Sequence, residues 1–240
     1  MLPNAPAVAC VLRVRQNADP TALMRGADGL LSGPQVETVR EALRRIGCSA
    51  VIVPLPWARA LLDLETGRLD VLPDTHRVPE REAFAWFSRS TWASTVRVFM
   101  RVSDLGAHHA PRSLEAFAQR KLRLGVQTGV RYGADIDRLL KSEPFKDRLE
   151  RAPSRQGLWK MLALGRIDGV LAGEQTGRRE LVPLGLAERV AAAPIRLAEE
   201  PSHTAFSRAT VKAGLVDRFD AALLAMRQDG TIERIERFFE

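Results

Sequence analysis

The sequence predicts an α/β protein made of two similar units, each built from parallel strands joined by crossover helices. Three observations carry this. First, a pattern recurs: Leu64-Glu65-Thr66-Gly67-Arg68-Leu69-Asp70-Val71-Leu72 reads like Leu162-Ala163-Leu164-Gly165-Arg166-Ile167-Asp168-Gly169-Val170-Leu171. Each copy has the form of a helix ending at Gly, a turn and an apolar strand, and Gly suits the left-handed position after a helix. Second, a matching strand stands upstream of each copy, Leu12-Arg13-Val14 and Leu122-Arg123-Leu124. Third, helical and strand-like periodicities alternate between these markers, which implies parallel sheets. The 240 residues suit one large domain or two lobes of roughly 100–120 residues.

The elements follow in order. Residues 11–14 form an apolar strand. Val36, Val39, Leu43 and Ile46 recur at three- and four-residue spacing, giving a helix face that ends at Gly47. Residues 51–53 are all β-branched and read as a strand stopped by Pro54 and Pro56. Trp57, Leu61, Leu62 and Leu64 mark the next helix. In the second half, residues 113–120 are a short helix, 122–127 a strand, 132–141 a helix, 156–164 a helix and 170–171 a strand. A long helix over 211–228 carries Leu215, Phe219, Leu223 and Met226 on one stripe, and residues 231–239 restart it after Asp229-Gly230. Such a stripe is core.

Composition narrows the function. The chain is 45% hydrophobic and 27% charged, which excludes wholesale disorder, and no apolar run is long enough to span a membrane. Its net charge of +7 comes chiefly from arginine, because Lys121, Lys141, Lys146, Lys160 and Lys212 are the only lysines. The arginines are dispersed among acids, no basic block is interleaved with aromatics, and Tyr132 is the only tyrosine, so no nucleic acid partner is expected. Cys10 and Cys48 are too few for a zinc site. They precede two strands, and if those strands are parallel neighbours a disulfide is possible and implies an oxidising compartment; two separate thiols are the other reading. Residues 1–9 lack the charged start and apolar stretch of an export signal. Either the protein is cytoplasmic, or the numbering describes a chain whose signal has been removed.

No catalytic group, metal site or cofactor fingerprint stands out. His76, His108, His109 and His203 lack metal-ligand spacing, and no nucleophile elbow or phosphate loop is present. In open α/β sheets ligands bind at the carboxyl ends of strands. The positions to consider are therefore Gln16, Asn17 and Asp19 after the first strand, Trp57 and Arg59 after the second, and Asp74, Thr75 and His76 after the third. In the second unit they are Thr128, Gly129, Val130, Arg131 and Tyr132, then Gly173, Glu174 and Gln175. The turn from Thr128 to Arg131 joins a strand to a helix, whose start presents backbone N–H groups suited to an anion. Arg81 can clamp a carboxylate, or it can be a surface arginine paired with Glu80 or Glu82. Trp57 is a pocket wall or core beneath its helix.

The order of signals carries a resemblance. It runs through Leu12-Arg13-Val14, Asp28-Gly29 and Gly33, Pro56-Trp57-Ala58-Arg59, Gly67-Arg68-Leu69-Asp70, and Glu80-Arg81 with Phe87-Ser88. It continues through Gly125-Val126-Gln127-Thr128-Gly129, Gly165-Arg166-Ile167-Asp168 and Asp229-Gly230-Thr231-Ile232. Over almost its whole length the chain resembles the bacterial extracellular solute-binding proteins of family 3, the amino-acid type that serves ABC importers. The resemblance implies a two-lobed periplasmic-binding-protein-like fold (type II), with parallel-sheet lobes joined by a two-crossing hinge. The crossings fall near residues 92–95 and 199–203, so that residues 1–93 plus 200–240 form lobe one and 94–199 lobe two.

It further implies a periplasmic monomer that captures a small polar anionic or zwitterionic solute, an amino acid or related carboxylate, with importer membrane subunits as partners. In the family the position of Arg81 binds the ligand α-carboxylate, the turn matching residues 128–131 supplies N–H groups to it, and the position of Trp57 lines the side-chain pocket. Two family features are missing. The acid that holds the ligand ammonium falls near Gly173, with Glu174 beside it, and no aromatic occurs at 18–23. Asp74 or Glu174 can substitute, or the ligand is an anion without an amine. Two alternatives use the same fold: a dehydratase of a small cyclic carboxylic acid, with Glu174, Asp74 and His76 as acid–base candidates, and a stand-alone ligand-sensing module.

Overall fold

The repeated Gly–Arg–Leu/Ile–Asp motif acts as a fastener between strands, through the same pair of bonds in both halves. The Arg13 N–H donates to Asp70 Oδ2 at 2.7 Å, and the Asp70 N–H donates back to Arg13 O at 3.1 Å. In the second copy the Arg123 N–H donates to Asp168 Oδ2 at 2.8 Å, and the Asp168 N–H to Arg123 O at 2.9 Å. Gly67 and Gly165 have φ of 73° and 70°, the left-handed conformation that ends each preceding helix without steric cost. The likeness between the two stretches of sequence is thus a likeness of structure.

These features are seen in a computed structural model, which describes residues 10–19, 23–26, 29–89, 92–106, 110–195, 197 and 199–239. Residues 1–9, Asp28, His108 and His109, and part of the 18–23 stretch lie outside the described residues. The first part of the chain runs through β1 (Cys10–Asn17), a hairpin of β2 (Met24–Arg25) and β3 (Leu31–Ser32), α1 (Pro34–Arg45), β4 (Cys48–Leu55), α2 (Trp57–Glu65), β5 (Val71–Thr75), α3 (Pro79–Glu82) and β6 (Ala85–Phe87). The long strand β7 (Trp92–Arg101) leads into α4 (Leu114–Gln119), β8 (Leu124–Gln127), α5 (Ala134–Leu139), β9 (Leu149–Ala152), α6 (Arg155–Ala163), β10 (Gly169–Gly173), α7 (Glu174–Leu181) and β11 (Val190–Ala192). A second long strand, β12 (Glu199–Ser207), precedes α8 (Ala213–Gln228) and α9 (Thr231–Phe238).

The sheet order is β4-β1-β5-β12-β7-β10-β8-β9, with β6 on β12 and β11 on β7. The strands internal to each half are parallel: β4 and β5 flank β1, and β9 and β10 flank β8. The two long strands are antiparallel to their neighbours and to each other, pairing Thr95 with Glu199 and Trp92 with Ser202. The chain passes between the halves of a two-lobed α/β fold on this strand pair.

Each half has its own core. One packs Val14, Leu43 and Val71 against Phe206, Phe219, Met226 and Ile232, so α8 and α9 sit on the first half. Beside it lies a second cluster around Trp57, Leu64, Leu72 and Ala205. The other half holds one cluster around Val98, Phe117, Leu124 and Phe145 and another around Phe99, Trp159, Leu162 and Ile167. Helix α1 is built for its place, with Pro34 in its first turn, acidic Glu37 there and basic Arg44 and Arg45 in its last turn, which suits the helix dipole.

One local expectation is corrected. The helix placed at 132–141 is only Ala134–Leu139, and residues 128–131 are not its start. Gly129 (φ 78°) and Gly133 (φ 111°) both take a conformation that breaks a helix, and Tyr132 is buried between them with its hydroxyl accepting from the Gln127 N–H at 2.8 Å. The first strand also runs three residues past Val14, so Arg15 and Gln16 belong to the strand.

Cys10 and Cys48 stand opposite each other at the starting edge of β1 and β4 and are joined by a disulfide. The bridge closes a loop across a separation of 38 residues, which in the chain-entropy account stabilises by about 2–4 kcal/mol. A Cys10→Ala/Cys48→Ala variant is expected to lose that amount in urea unfolding. Reductant should lower the midpoint of the wild type and leave the variant unchanged.

Candidate functional site

The carboxyl ends of β1, β4, β5, β8 and β10 converge on two adjoining cavities of about 90 Å³ each. The first is walled by Trp57, His76, Val130, Arg131, Gln127 and Tyr132. The second lies beyond it, toward Asn17, Ser32, Arg179 and Glu180. Arg15, Asp74, Arg155 and Thr176 line both.

Gly129 stands next to Val130 on the edge of the first cavity. Its carbonyl accepts two hydrogen bonds from the first half of the chain, from Trp57 Nε1 at 3.0 Å and from Arg81 Nη2 at 3.0 Å. The other Arg81 Nη donates to His76 O at 3.0 Å. Val130 packs against the cluster around Trp57, so the same turn adds an apolar contact. The guanidinium carbons of Arg15 and Arg81 lie 5.5 and 5.9 Å from the Trp57 ring centroid, within cation–π range. Burial, with repulsion from Arg131, brings the pKa of Arg81 down to about 10, and burial with repulsion from Arg155 does the same to Arg15.

The opposite wall is a fixed polar network. Arg155 Nη2 donates to Glu180 Oε1 at 2.7 Å, its Nε to Oε2 at 2.9 Å and its Nη1 to Gln127 Oε1 at 2.7 Å. Trp159 Nε1 donates to Glu180 Oε2 at 2.8 Å, and Gln127 Nε2 to Pro153 O at 3.1 Å. Burial works against the charge on Arg155, but the Glu180 carboxylate outweighs it and raises its pKa. Burial also pushes the Tyr132 hydroxyl up to about 12, so it stays protonated.

The sequence-derived candidates fall into three groups. Trp57, Asp74, His76, Val130 and Arg131 line the first cavity, and Asp74 reaches the second with a strained φ of 53°. Thr128 and Gly129 are exposed at the rim, where the N–H groups of Thr128 and Val130 are already bonded to Ala152 O and Gln127 O, at 2.9 and 3.2 Å. Two of the four N–H groups of this turn are therefore already committed to backbone carbonyls. Arg81, only 6% exposed, is not on the cavity wall; its Nη groups are engaged by the two carbonyls. Thr75 is buried with its hydroxyl bonded back to Leu72 O at 3.1 Å, so it does not line either cavity. Glu174 is held by Arg97 Nε at 2.9 Å and Arg178 Nη2 at 2.8 Å, so its charge is already matched. Arg15, Gln127, Arg155, Thr176 and Arg179 escaped the sequence reading. Only Arg15 left a signal, in the continued alternation of Leu12, Val14 and Gln16 on the buried face.

Residues 11–239 match the bacterial extracellular solute-binding proteins, family 3. The chain belongs to that family. Solved structures share the fold of this family 3 protein at low identity. An ancestral arginine-binding protein bound to arginine superposes with a TM-score of 0.78 at 19% identity, covering 95% of this chain and 97% of that one. The holo arginine-binding protein from T. maritima gives 0.74 at 19%, covering 96% of each chain. A histidine kinase sensor domain with similarity to periplasmic binding proteins gives 0.79 at 18%, covering 97% and 96%. No curated protein matches the sequence. In this family 3 protein the cleft where the strand ends meet, closed across Gly129, is the candidate site.

The two glutamates of this region should respond differently to substitution. Glu180→Ala leaves Arg155 without its carboxylate and should cost about 3–5 kcal/mol in urea unfolding. Glu174→Gln, at a surface pair, should cost less than about 1 kcal/mol. The hydrogen bonds from Arg178 and Arg97 lower the Glu174 pKa below its ordinary value of 4.5. Its share of stability is thus fully present above pH 4.5 and is lost as pH falls through the lower native value, so the Glu174→Gln difference should vanish in strong acid.

Proposed function

We propose that this protein captures a small anionic or zwitterionic solute, an amino acid or a related carboxylate, between two lobes and delivers it to the membrane subunits of an ABC importer. Lobe one comprises residues 1–93 and 200–240, lobe two residues 94–199, and the crossings lie in β7 and β12. The carrying observation is the Gly129 carbonyl, which takes donors from Trp57 and Arg81 beside a cavity lined by Trp57 and by arginines. These bonds span the two lobes. Solute that fills the cavity favours the closed state, and the mechanism is a shift of an open–closed equilibrium rather than bond making.

Arginine supplies the selectivity for an anion. Arg15 and Arg131 face the first cavity, and a charge-assisted hydrogen bond contributes about 1.5–3 kcal/mol. Arg81 acts one step away: it latches the lobes and adds its charge to the field of the cavity. The acid–base chemistry of a dehydratase finds less support, because Glu174 is committed to Arg97 and Arg178. The Cys10–Cys48 disulfide fits an oxidising compartment such as the periplasm.

Arg81→Ala and Trp57→Phe each remove one donor to Gly129 O, and Arg81→Ala also removes a cleft charge. In calorimetry against whichever small carboxylate raises the melting temperature, Arg81→Ala should weaken binding at least tenfold and Trp57→Phe by a smaller factor. Small-angle scattering should record a decrease in radius of gyration on adding that carboxylate. Unchanged affinity in Arg81→Ala, or no contraction, would count against the closing cleft.

A further inference from the structure

The second cavity contains more positive charge than the protein itself neutralises. Arg155 is matched by Glu180, which leaves Arg15, Arg179 and Asp74 facing the space. That is two guanidiniums against one carboxylate. Among the described residues neither guanidinium has an ion pair within 4 Å. Among the described residues Arg15 donates its Nε to Leu55 O at 3.1 Å and lies against the face of Trp57, while Arg179 makes no hydrogen bond and is attracted only from beyond ion-pair distance by Asp74, Glu180 and Glu236. Burial lowers the pKa of both. Both side chains are half-buried. A charge partly withdrawn from water without an ion-pair partner is costly, and a cavity lined by two of them is arranged for a counter-ion.

This cavity is not a separate hole. It shares Arg15, Asp74, Arg155 and Thr176 with the first cavity, so a single solute can occupy both. Resting on the reading of the cleft as a carboxylate site, we infer that the solute is a small dianion, an aliphatic dicarboxylate, with its second carboxylate between Arg15 and Arg179. Asp74, midway, tolerates an ammonium on the connecting chain, so an acidic amino acid belongs to the same class. A solute with a cationic far end, as in the arginine-bound neighbour, meets Arg15 and Arg179 with like charge and is rejected.

The test is calorimetry and thermal shift on the full chain with glutarate, L-glutamate, butyrate and L-arginine, for the wild type and Arg179→Gln. Glutarate or L-glutamate should bind at least tenfold more tightly than butyrate, and L-arginine should not raise the melting temperature. Arg179→Gln should reduce the glutarate-to-butyrate affinity ratio at least tenfold, while the unliganded variant melts no lower than the wild type because an unmatched charge has been removed. A purely structural arginine would show the reverse, a lower melting temperature and an unchanged ratio, and that result overturns the inference. Butyrate binding as tightly as glutarate, or L-arginine binding most tightly of the four, also overturns it and leaves the carboxylate-binding cleft standing. A protein stabilised by none of these compounds loses both readings.

Discussion

A guanidinium drawn out of water must find negative charge or at least well-aimed dipoles, and the cleft of this protein is organised by how unevenly four arginines meet that demand. Arg155 has a full carboxylate in Glu180, and the pair, braced by Gln127 and Trp159, is a rigid wall. Arg81 has two carbonyls, one from each half, so satisfying its charge also draws the halves together. Arg15 has one carbonyl and the face of an indole. Arg179 has neither. Rigidity, closure and affinity for an anion are three outcomes of the same electrostatic requirement met to different degrees.

Much of the fold was legible in the sequence because its determinants are local. Gly67 and Gly165 mark helix ends, where the backbone needs a conformation only glycine takes without cost. Asp70 and Asp168 follow within three residues, and their shared task of holding a strand edge explains why the pattern appears twice. Trp57, Asp74 and His76 were legible for a topological reason: they come just after strands, where an α/β sheet presents its ligands.

What could not be read depends on contacts distant in sequence or on arginines that look like any others. Arg155 finds Glu180 25 residues away, and no spacing rule links a residue at the start of α6 to one late in α7. Arg179 looks like its neighbour Arg178, yet one faces the cavity and the other a surface glutamate. Arg15 lies just past the apolar run that ends at Val14, so nothing in that run distinguishes it. The turn at 128–131 departs in the opposite way: it joins a strand to a helix, a place where N–H groups suit an anion, but the positive φ values of Gly129 and Gly133 delay the helix until Ala134. The outcome is that the Gly129 carbonyl, an acceptor, meets the Arg81 guanidinium and the Trp57 indole.

The cystine at the outer end of β1 and β4 bears on chemistry five residues away. Side chains alternate across a strand, so a slip of a single position would exchange the two faces of β1. With Cys10 tied to Cys48, Arg15 is held opposite Val53, in the register that places it on the wall of both cavities. A covalent bond remote from the solute thereby acts as the zero mark of a ruler, setting which residue of an otherwise unremarkable strand is presented to the incoming charge.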